Sequence, residues 1–253
     1  MIHAKQYGES GPALVVLHGL FGNADNWHSL AKNWSETFRV FCIDLPNHGQ
    51  SSPMNHASYP NMAKAILQWA QETSLDKFYL LGHSMGGKVA MQMAALAPDN
   101  IIKLVVADIA PVDYPPSHTQ IFKGLKAIDE TDLTSRKQAD SLLSEYEPSL
   151  PVRQFLLKNL ERTDNGFKLA ISLDNIAQSY TTILKKPEIG SPIQTPTLFI
   201  KGEKSDYIVA DYQQDIIGFF PNAEFKMIPD TGHWLHAEKP IPFSSLVKRF
   251  LNK

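Results

Sequence analysis

The stretch that decides the fold is Phe78-Tyr79-Leu80-Leu81-Gly82-His83-Ser84-Met85-Gly86-Gly87. Its first four residues form an apolar run that predicts a buried strand, and a helical pattern extends from Met85 to Leu96. A serine between glycines at a strand-to-helix turn has the G-x-S-x-G pattern of a nucleophile elbow. On its own the pattern also fits a plain glycine-rich connection, but the strand and helix on either side favour the elbow. We therefore expect Ser84 to adopt a strained backbone conformation and to act as a nucleophile.

Apolar, strand-like runs alternate with helical patterns through most of the chain. The runs lie at residues 2–7, 13–17, 40–43, 78–81, 101–107, 197–200 and 224–228. Continuous apolar strands separated by helices indicate a parallel sheet with helices on both faces. In such sheets the functional residues gather at the carboxyl ends of the strands. Ser84 stands at one of these ends.

The alternation stops between Pro111 and Pro192. The periodicity there predicts four short helices, near residues 118–129, 134–146, 151–162 and 172–185, and no buried strand. We therefore expect a sheet domain made of residues 1–110 and 191–253, with a helical lid, residues 111–190, inserted into it.

Composition places the chain among globular proteins. Of its 253 residues, 43% are apolar and 20% are charged. The net charge of −2 gives no reason to expect nucleic acid or an anionic membrane as a partner. A single cysteine, Cys42, excludes an internal disulfide, and no apolar run has the length of a membrane span or a signal peptide. We expect a cytoplasmic protein that acts on a small molecule.

No metal or cofactor is expected. Histidine, cysteine and carboxylate residues do not occur at metal-ligand spacings. The glycine pattern around Ser84 is not that of a dinucleotide-binding turn, and no Gly-Lys-Ser/Thr phosphate loop is present.

A serine hydroxyl needs a base to become a nucleophile, and His233 is the strongest of nine candidates. It follows the last predicted strand, and the order serine, acid, histidine is the usual one for chains with this elbow. His18 and His48 are expected to brace loops, His83 to point away from the serine, and His236 to lie behind His233. The remaining histidines are expected at the surface: His3, His28, His56 and His118. Of these only His118, in the predicted lid, is kept as a candidate.

The acid that orients His233 is left open by spacing. Asp206 follows the penultimate strand, and Asp108 follows the strand after the nucleophile's helix. Either could reach Nδ1 of the imidazole, as a triad requires. Asp174 and Asp230 are weaker candidates, and the context of Asp44 indicates a structural turn.

Two backbone N–H groups are expected to stabilise the oxyanion. They belong to Met85, after the nucleophile, and Leu20, after His18-Gly19. Such donors act on the charge that develops on a carbonyl oxygen during attack.

With these features assembled, the sequence resembles the α/β-hydrolase superfamily along nearly its whole length, and more narrowly the bacterial YbfF-type esterases. The resemblance rests on His18-Gly19-Leu20-Phe21-Gly22, Asn47-His48-Gly49, Gly82 to Lys88, Asp108-Ile109-Ala110-Pro111-Val112-Asp113-Tyr114 and Gly232 to Pro240. It implies an α/β-hydrolase fold with a mostly parallel eight-stranded sheet and the lid after the sixth strand. The subgroup's pattern points to Asp108 as the acid and the superfamily's usual layout to Asp206, and we choose Asp108.

The sequence thus predicts a serine esterase for esters or thioesters of short to medium acyl chain. Tyr114 and Tyr207 are expected to line the acyl pocket. Two alternatives stay open: a carbon–carbon bond hydrolase on the same scaffold, and a non-catalytic small-molecule receptor. A dehalogenase would need an aspartate in place of Ser84. The physiological substrate and the oligomeric state do not follow from the sequence.

Overall fold

The computed structural model describes residues 1–253. The strands are β1 (His3–Tyr7), β2 (Ala13–Leu17), β3 (Arg39–Asp44), β4 (Phe78–His83), β5 (Ile101–Ala107), β6 (Leu160–Thr163), β7 (Gly166–Leu169), β8 (Thr197–Gly202) and β9 (Ala223–Ile228). The helices are α1 (His28–Trp34), α2 (Tyr59–Glu72), α3 (Met85–Leu96), α4 (Thr119–Asp129), α5 (Arg136–Leu143), α6 (Leu150–Leu156), α7 (Leu173–Ile183), α8 (Gln213–Phe219), α9 (Leu235–Glu238) and α10 (Pro240–Leu251). None of these helices combines the length and apolar character that crossing a membrane requires.

Seven strands form the main sheet, in the order β1-β3-β2-β4-β5-β8-β9. Only the edge strand β1 is antiparallel to its neighbour, and the other pairs are parallel. The carboxyl ends of six strands therefore meet along one edge, where ligands bind in open α/β sheets. The predicted α/β fold with a mostly parallel sheet is confirmed.

Alternate residues of the central strands enter separate cores on the two faces of the sheet. On β2, Val15 and Leu17 belong to one core, and Leu14 and Val16 to the other. The first core is closed by α2, α3 and α8, and the second by α1 and α10. Because both faces are buried, these strands are continuous apolar runs, and that is why the sequence revealed them.

The predicted number of strands is wrong by one. The main sheet has seven strands rather than eight, and residues 111–190, which we call the insert, follow the fifth strand rather than the sixth. The reason is that five pairing segments precede the insert and two follow it, and no other segment pairs with the free edge of β1 or β9.

The insert contains four helices, α4 to α7, and also a two-stranded antiparallel hairpin of β6 and β7. The helix predicted over residues 151–162 is therefore wrong in its second half, since α6 ends at Leu156 and residues 160–163 are a strand. Thr163 pairs with Gly166 across the turn Asp164-Asn165. Asp, Asn and Gly favour turns, and Gly166 has a φ of 142°. This local turn chemistry outweighed the helical periodicity.

Two polar side chains of α3 attach the insert to the sheet. The buried Lys88 ammonium donates to the carbonyls of Val112 and Lys185, each at 2.7 Å, and of Leu184 at 3.2 Å. Gln92 exchanges two hydrogen bonds with the backbone of Glu188. Both ends of the insert are thus held by the helix that begins directly after Ser84.

Candidate active site

Ser84 lies at the sharp turn between β4 and α3, with φ 53° and ψ −123°. The turn is possible because the neighbouring backbone comes very close: a Cβ on Gly82 would lie 2.2 Å from the carbonyl oxygen of Gly86. The Ser84 N–H donates to the carbonyl of Ala107 on β5 at 3.0 Å. A positive φ at a serine costs on the order of 1–3 kcal/mol and persists only where the surroundings enforce it.

His233 connects the serine to an acid. Its Nε2 lies 2.9 Å from Ser84 Oγ, and its Nδ1 lies 2.7 Å from Asp108 Oδ2. A carboxylate can only accept, so Nδ1 carries the proton and Nε2 presents its lone pair to the serine hydroxyl. The His233 side chain is 15% exposed and that of Asp108 is fully buried. The arrangement has the geometry of a nucleophile, a general base and an orienting acid.

Three further features fix Asp108. The residue directly follows β5 and has a φ of 51°, so it is the second strained residue of the site. Gly202 N–H donates to its Oδ1 at 2.9 Å. The hydroxyl of Ser205 donates to Oδ2, the same oxygen that accepts the hydrogen bond from His233 Nδ1–H. Sequence reasoning missed Ser205, and its only signal was a position just after β8, beside Asp206.

The other candidate acids do not contact His233. Asp206 is exposed at the carboxyl end of β8 and makes no hydrogen bond with the imidazole. Asp174 is exposed in the first turn of α7, and the exposed Asp230 pairs with Lys204. Asp44 accepts hydrogen bonds from the backbone around it, which agrees with the structural turn predicted for it.

Aromatic rings enclose His233. The Tyr207 ring stacks on its imidazole with centroids 3.9 Å apart and planes 20° apart. His83 points away from the serine hydroxyl, as predicted, and its Nε2–H donates to the His233 carbonyl at 2.8 Å. His236 lies behind, stacked on Trp27. Burial lowers the pKa of His83 well below its ordinary value and that of His236 to about 3, so both rings stay neutral near the site.

Two backbone donors lie beside Ser84. The Leu20 N–H has no partner within the protein, and the Met85 N–H is the first amide of α3, which has no acceptor in its own helix. The loop that carries Leu20 is held by His18, whose Nδ1–H donates to Gly19 O at 2.8 Å. It is also held by His48, whose Nε2 accepts the Phe21 N–H at 3.2 Å. Both histidines therefore brace this loop.

Two cavities meet at Ser84. The first cavity, of about 350 Å³, has mostly apolar walls and lies between the sheet edge and the insert. Its lining includes Leu20, Tyr59, Ser84, Met85, Lys88, Tyr114, His118, Tyr180, Asp206 and Tyr207. The second cavity, of about 180 Å³, lies on the His233 side of the serine. Its lining includes Phe21, His83, Ser84, His118, Phe155, Tyr207, His233 and Trp234.

The sequence-predicted site residues are thus brought together around these cavities. Tyr114 and Tyr207 both line the first cavity, and Tyr207 also lines the second. His118 is not a plain surface residue: it is half-buried and lines both cavities. No three His, Cys, Asp or Glu side chains form a group that could hold a metal ion. The chemistry this arrangement can perform is acyl transfer through the serine.

Comparison with known proteins agrees with this geometry. A family model described as alpha/beta hydrolase fold matches residues 12–240. The esterase YbfF of Escherichia coli is 37% identical over 240 residues, which cover 94% of this chain and 92% of that protein. An sn-1-specific diacylglycerol lipase of Mus musculus is 38% identical over 248 residues, which cover 95% of this chain and 81% of that protein.

A solved structure extends the similarity to three dimensions. A marine microorganism esterase superimposes with a TM-score of 0.95 at 39% sequence identity, covering 98% of each chain. The resemblance to the α/β-hydrolase superfamily and to YbfF-type esterases, inferred from the sequence motifs, is confirmed.

Proposed function

The chain belongs to the alpha/beta hydrolase fold family, and from that premise we propose that it hydrolyses carboxylic esters through Ser84, His233 and Asp108. Two relatives that are 37% and 39% identical along nearly the whole chain are named esterases, and this similarity identifies the chain as a carboxylic ester hydrolase. They favour ester cleavage over the carbon–carbon hydrolase considered above.

One observation carries the assignment of residues: an unbroken chain of hydrogen bonds runs from Asp108 through His233 to Ser84. In the proposed reaction the Ser84 oxygen attacks the ester carbonyl while His233 Nε2 takes the hydroxyl proton. Asp108, buried and aligned with Nδ1–H, stabilises the imidazolium that forms. His233 then passes the proton to the leaving alcohol, and an acyl-enzyme remains on Ser84.

The oxyanion is proposed to lie between the N–H groups of Leu20 and Met85. Neither group has an acceptor of its own, so both are available to the negative charge of the tetrahedral intermediate. Water, activated by His233 in the same way as the serine, then releases the acid. Side-chain identity at positions 20 and 85 has little effect on this step because both donors belong to the backbone.

We assign the acyl chain to the first cavity. Its apolar walls and its volume, near the lower end of the roughly 300–1,000 Å³ typical of small-molecule sites, suit short to medium acyl chains of esters or thioesters. Tyr114 and Tyr207 form part of its wall. The insert covers this cavity, and we propose that it acts as the lid. The cytoplasmic location and the absence of nucleic-acid and membrane partners stay predictions.

The test is turnover of para-nitrophenyl butyrate by the wild type and by Ser84→Ala. The matched control is Ser141→Ala, an exposed serine of α5 that lines neither cavity. We expect Ser84→Ala to lose essentially all turnover, on the order of a 10⁶-fold drop in kcat, because the nucleophile is gone. The control should match the wild type. Retained hydrolysis by Ser84→Ala would rule out the proposed mechanism.

A further inference from the structure

The two cavities differ in one respect that bears on the leaving group. Ser84 lines both, but His233 lines only the second. The base must deliver a proton to the departing oxygen, so the alcohol portion has to leave on the side where His233 is reachable. With the acyl chain in the first cavity, the alcohol therefore occupies the second cavity.

The second cavity is largely apolar, with Phe155 and Trp234 packed against each other at 5.9 Å between ring centroids. Apart from the reacting Ser84 and His233, the side chains with polar groups in its lining are two histidines, His83 and His118, and two aromatic residues, Tyr207 and Trp234. His83 has already committed its N–H to the His233 carbonyl. Of these two histidines only His118 has an N–H left to offer, and unlike Trp234 with its indole N–H it lines both cavities.

The hydrogen bonds of Tyr180 determine where the proton of His118 lies. The Tyr180 hydroxyl accepts the N–H groups of Ser117 at 3.1 Å and of His118 at 3.2 Å. Its own proton is left for His118 Nδ1, 2.7 Å away. An Nδ1 that accepts leaves the ring proton on Nε2. Burial lowers the pKa of His118 to about 4, with nearby His233 adding to the effect, so the ring is neutral at ordinary pH.

The Nε2–H of His118 has no acceptor within the protein. The buried side-chain nitrogen and oxygen atoms without a partner belong to Trp27, Arg39 and His236. Because Nε2 of His118 also has no partner but is not among these buried atoms, it is accessible from the cavity. Phe21 and Tyr180 hold the ring edge-on, with centroids at 6.0 Å and 5.8 Å. The result is a fixed, neutral and unused donor at the junction of the two cavities.

On the basis of the proposed function, we infer that the second cavity binds the alcohol portion of the substrate and that His118 donates its Nε2–H to an oxygen carried by that alcohol close to the ester bond. The substrate class is esters of polyols such as glycerol, in which a neighbouring hydroxyl or ester oxygen can accept this hydrogen bond. A simple alkyl ester fills the same space but leaves the donor without a partner. Tyr180 is the positioning residue for His118.

The test compares two butyrates that differ only in the alcohol: 2,3-dihydroxypropyl butyrate and 2-methylbutyl butyrate, in which methyl groups replace the hydroxyls. The readout is the ratio of their kcat/KM values. In His118→Phe, which keeps a planar ring without the donor, we expect the ratio to fall about tenfold, the loss of one hydrogen bond. His118→Gln retains an N–H donor and should keep most of the preference.

A second variant guards against a failure of His118→Phe to fold. Tyr180→Phe leaves His118 in place but removes the hydroxyl that keeps its ring proton on Nε2. We therefore expect a smaller fall in the same ratio, about threefold. If the folded variants keep the wild-type ratio, the role of His118 is overturned. This includes the case in which kcat/KM falls by the same factor for both esters. If the wild type hydrolysed neither butyrate, the proposed ester hydrolase itself would fail, and this result is distinct from the other.

Discussion

At the scale of single residues, the site depends on how one carboxylate is held. Asp108 Oδ2 receives both the His233 Nδ1–H and the Ser205 hydroxyl, while Oδ1 receives the Gly202 N–H. Two strand ends, those of β5 and β8, therefore fix the acid between them. Ser205 supports the acid from the strand end where Asp206 was the rival candidate.

Replacing Ser205 by alanine should weaken this support without removing it. Asp108 would keep its bond to Gly202 but lose a hydroxyl donor, and a hydrogen bond to a charged group is worth about 1.5–3 kcal/mol. We expect Ser205→Ala to lower kcat for para-nitrophenyl butyrate by about tenfold, with little change in KM. A kcat equal to that of the wild type would show that the hydroxyl has no effect on the acid.

The residues of the site could be predicted from the sequence to different degrees. Ser84 and His233 stand in local patterns at strand ends, and these patterns suffice to find them. The choice between Asp108 and Asp206 was left open by spacing, because it depends on which strand end faces the imidazole. Ser205 had only its position just after β8 as a signal, and His118 only its place in the predicted lid, because each acts through a partner far away in the chain.

At the scale of secondary-structure elements, the close approach of β4 and α3 positions the nucleophile. The backbone of Gly86 sits where a side chain of Gly82 would be, and the backbone of His18 sits 2.4 Å from where a Cβ of Gly86 would be. Neither contact can relax by rotating a side chain. The elbow therefore requires glycine at both positions.

Gly82→Ala should be strongly destabilising because its Cβ would meet backbone at 2.2 Å. We expect a loss of at least about 3 kcal/mol in the free energy of unfolding, measured by urea denaturation, at the upper end of overpacking effects. The matched control is Gly190→Ala, where nothing lies within 4 Å of the added Cβ. Equal stability of the two variants would contradict the account of the elbow.

The elements of the sheet were predictable, and those of the insert only partly. Each of the strands β2 to β5 contains a run of buried residues on both faces, so each contains a continuous apolar stretch. The hairpin strands β6 and β7 are short and half-exposed, so they lack that signal. The strongest sign of the hairpin in the sequence is the turn Asp164-Asn165-Gly166, which hydrophobic periodicity alone does not detect.

At the scale of the whole molecule, buried histidines make the fold sensitive to acid. Burial lowers the pKa of His18 and His83, and lowers that of His48 and His236 to about 3. In the unfolded chain these groups bind protons near pH 6.5. Between the two values the unfolded state binds more protons than the folded state, so the free energy of unfolding falls as the pH falls from about 6.5 toward 3.

His236→Phe should reduce this acid sensitivity. The buried Nδ1 of His236 has no partner, and a phenyl ring can replace the imidazole against Trp27. Between about pH 4 and 6 we expect the slope of unfolding free energy against pH to drop by about 1.4 kcal/mol per pH unit, one proton's contribution. Urea denaturation across this range measures it. The neighbouring Phe243→Leu should lower stability without changing the slope, and an unchanged slope in His236→Phe would refute the assignment.

The central claim is that Asp108, through His233, activates Ser84 for ester hydrolysis. The most direct measurement is kcat for para-nitrophenyl butyrate in Asp108→Asn and Asp206→Asn, which both keep shape and remove charge. The account predicts a loss on the order of 10⁴-fold in Asp108→Asn, the size of the same change in serine proteases, and less than about tenfold in Asp206→Asn. A large loss confined to Asp206→Asn would contradict it and move the acid to the end of β8.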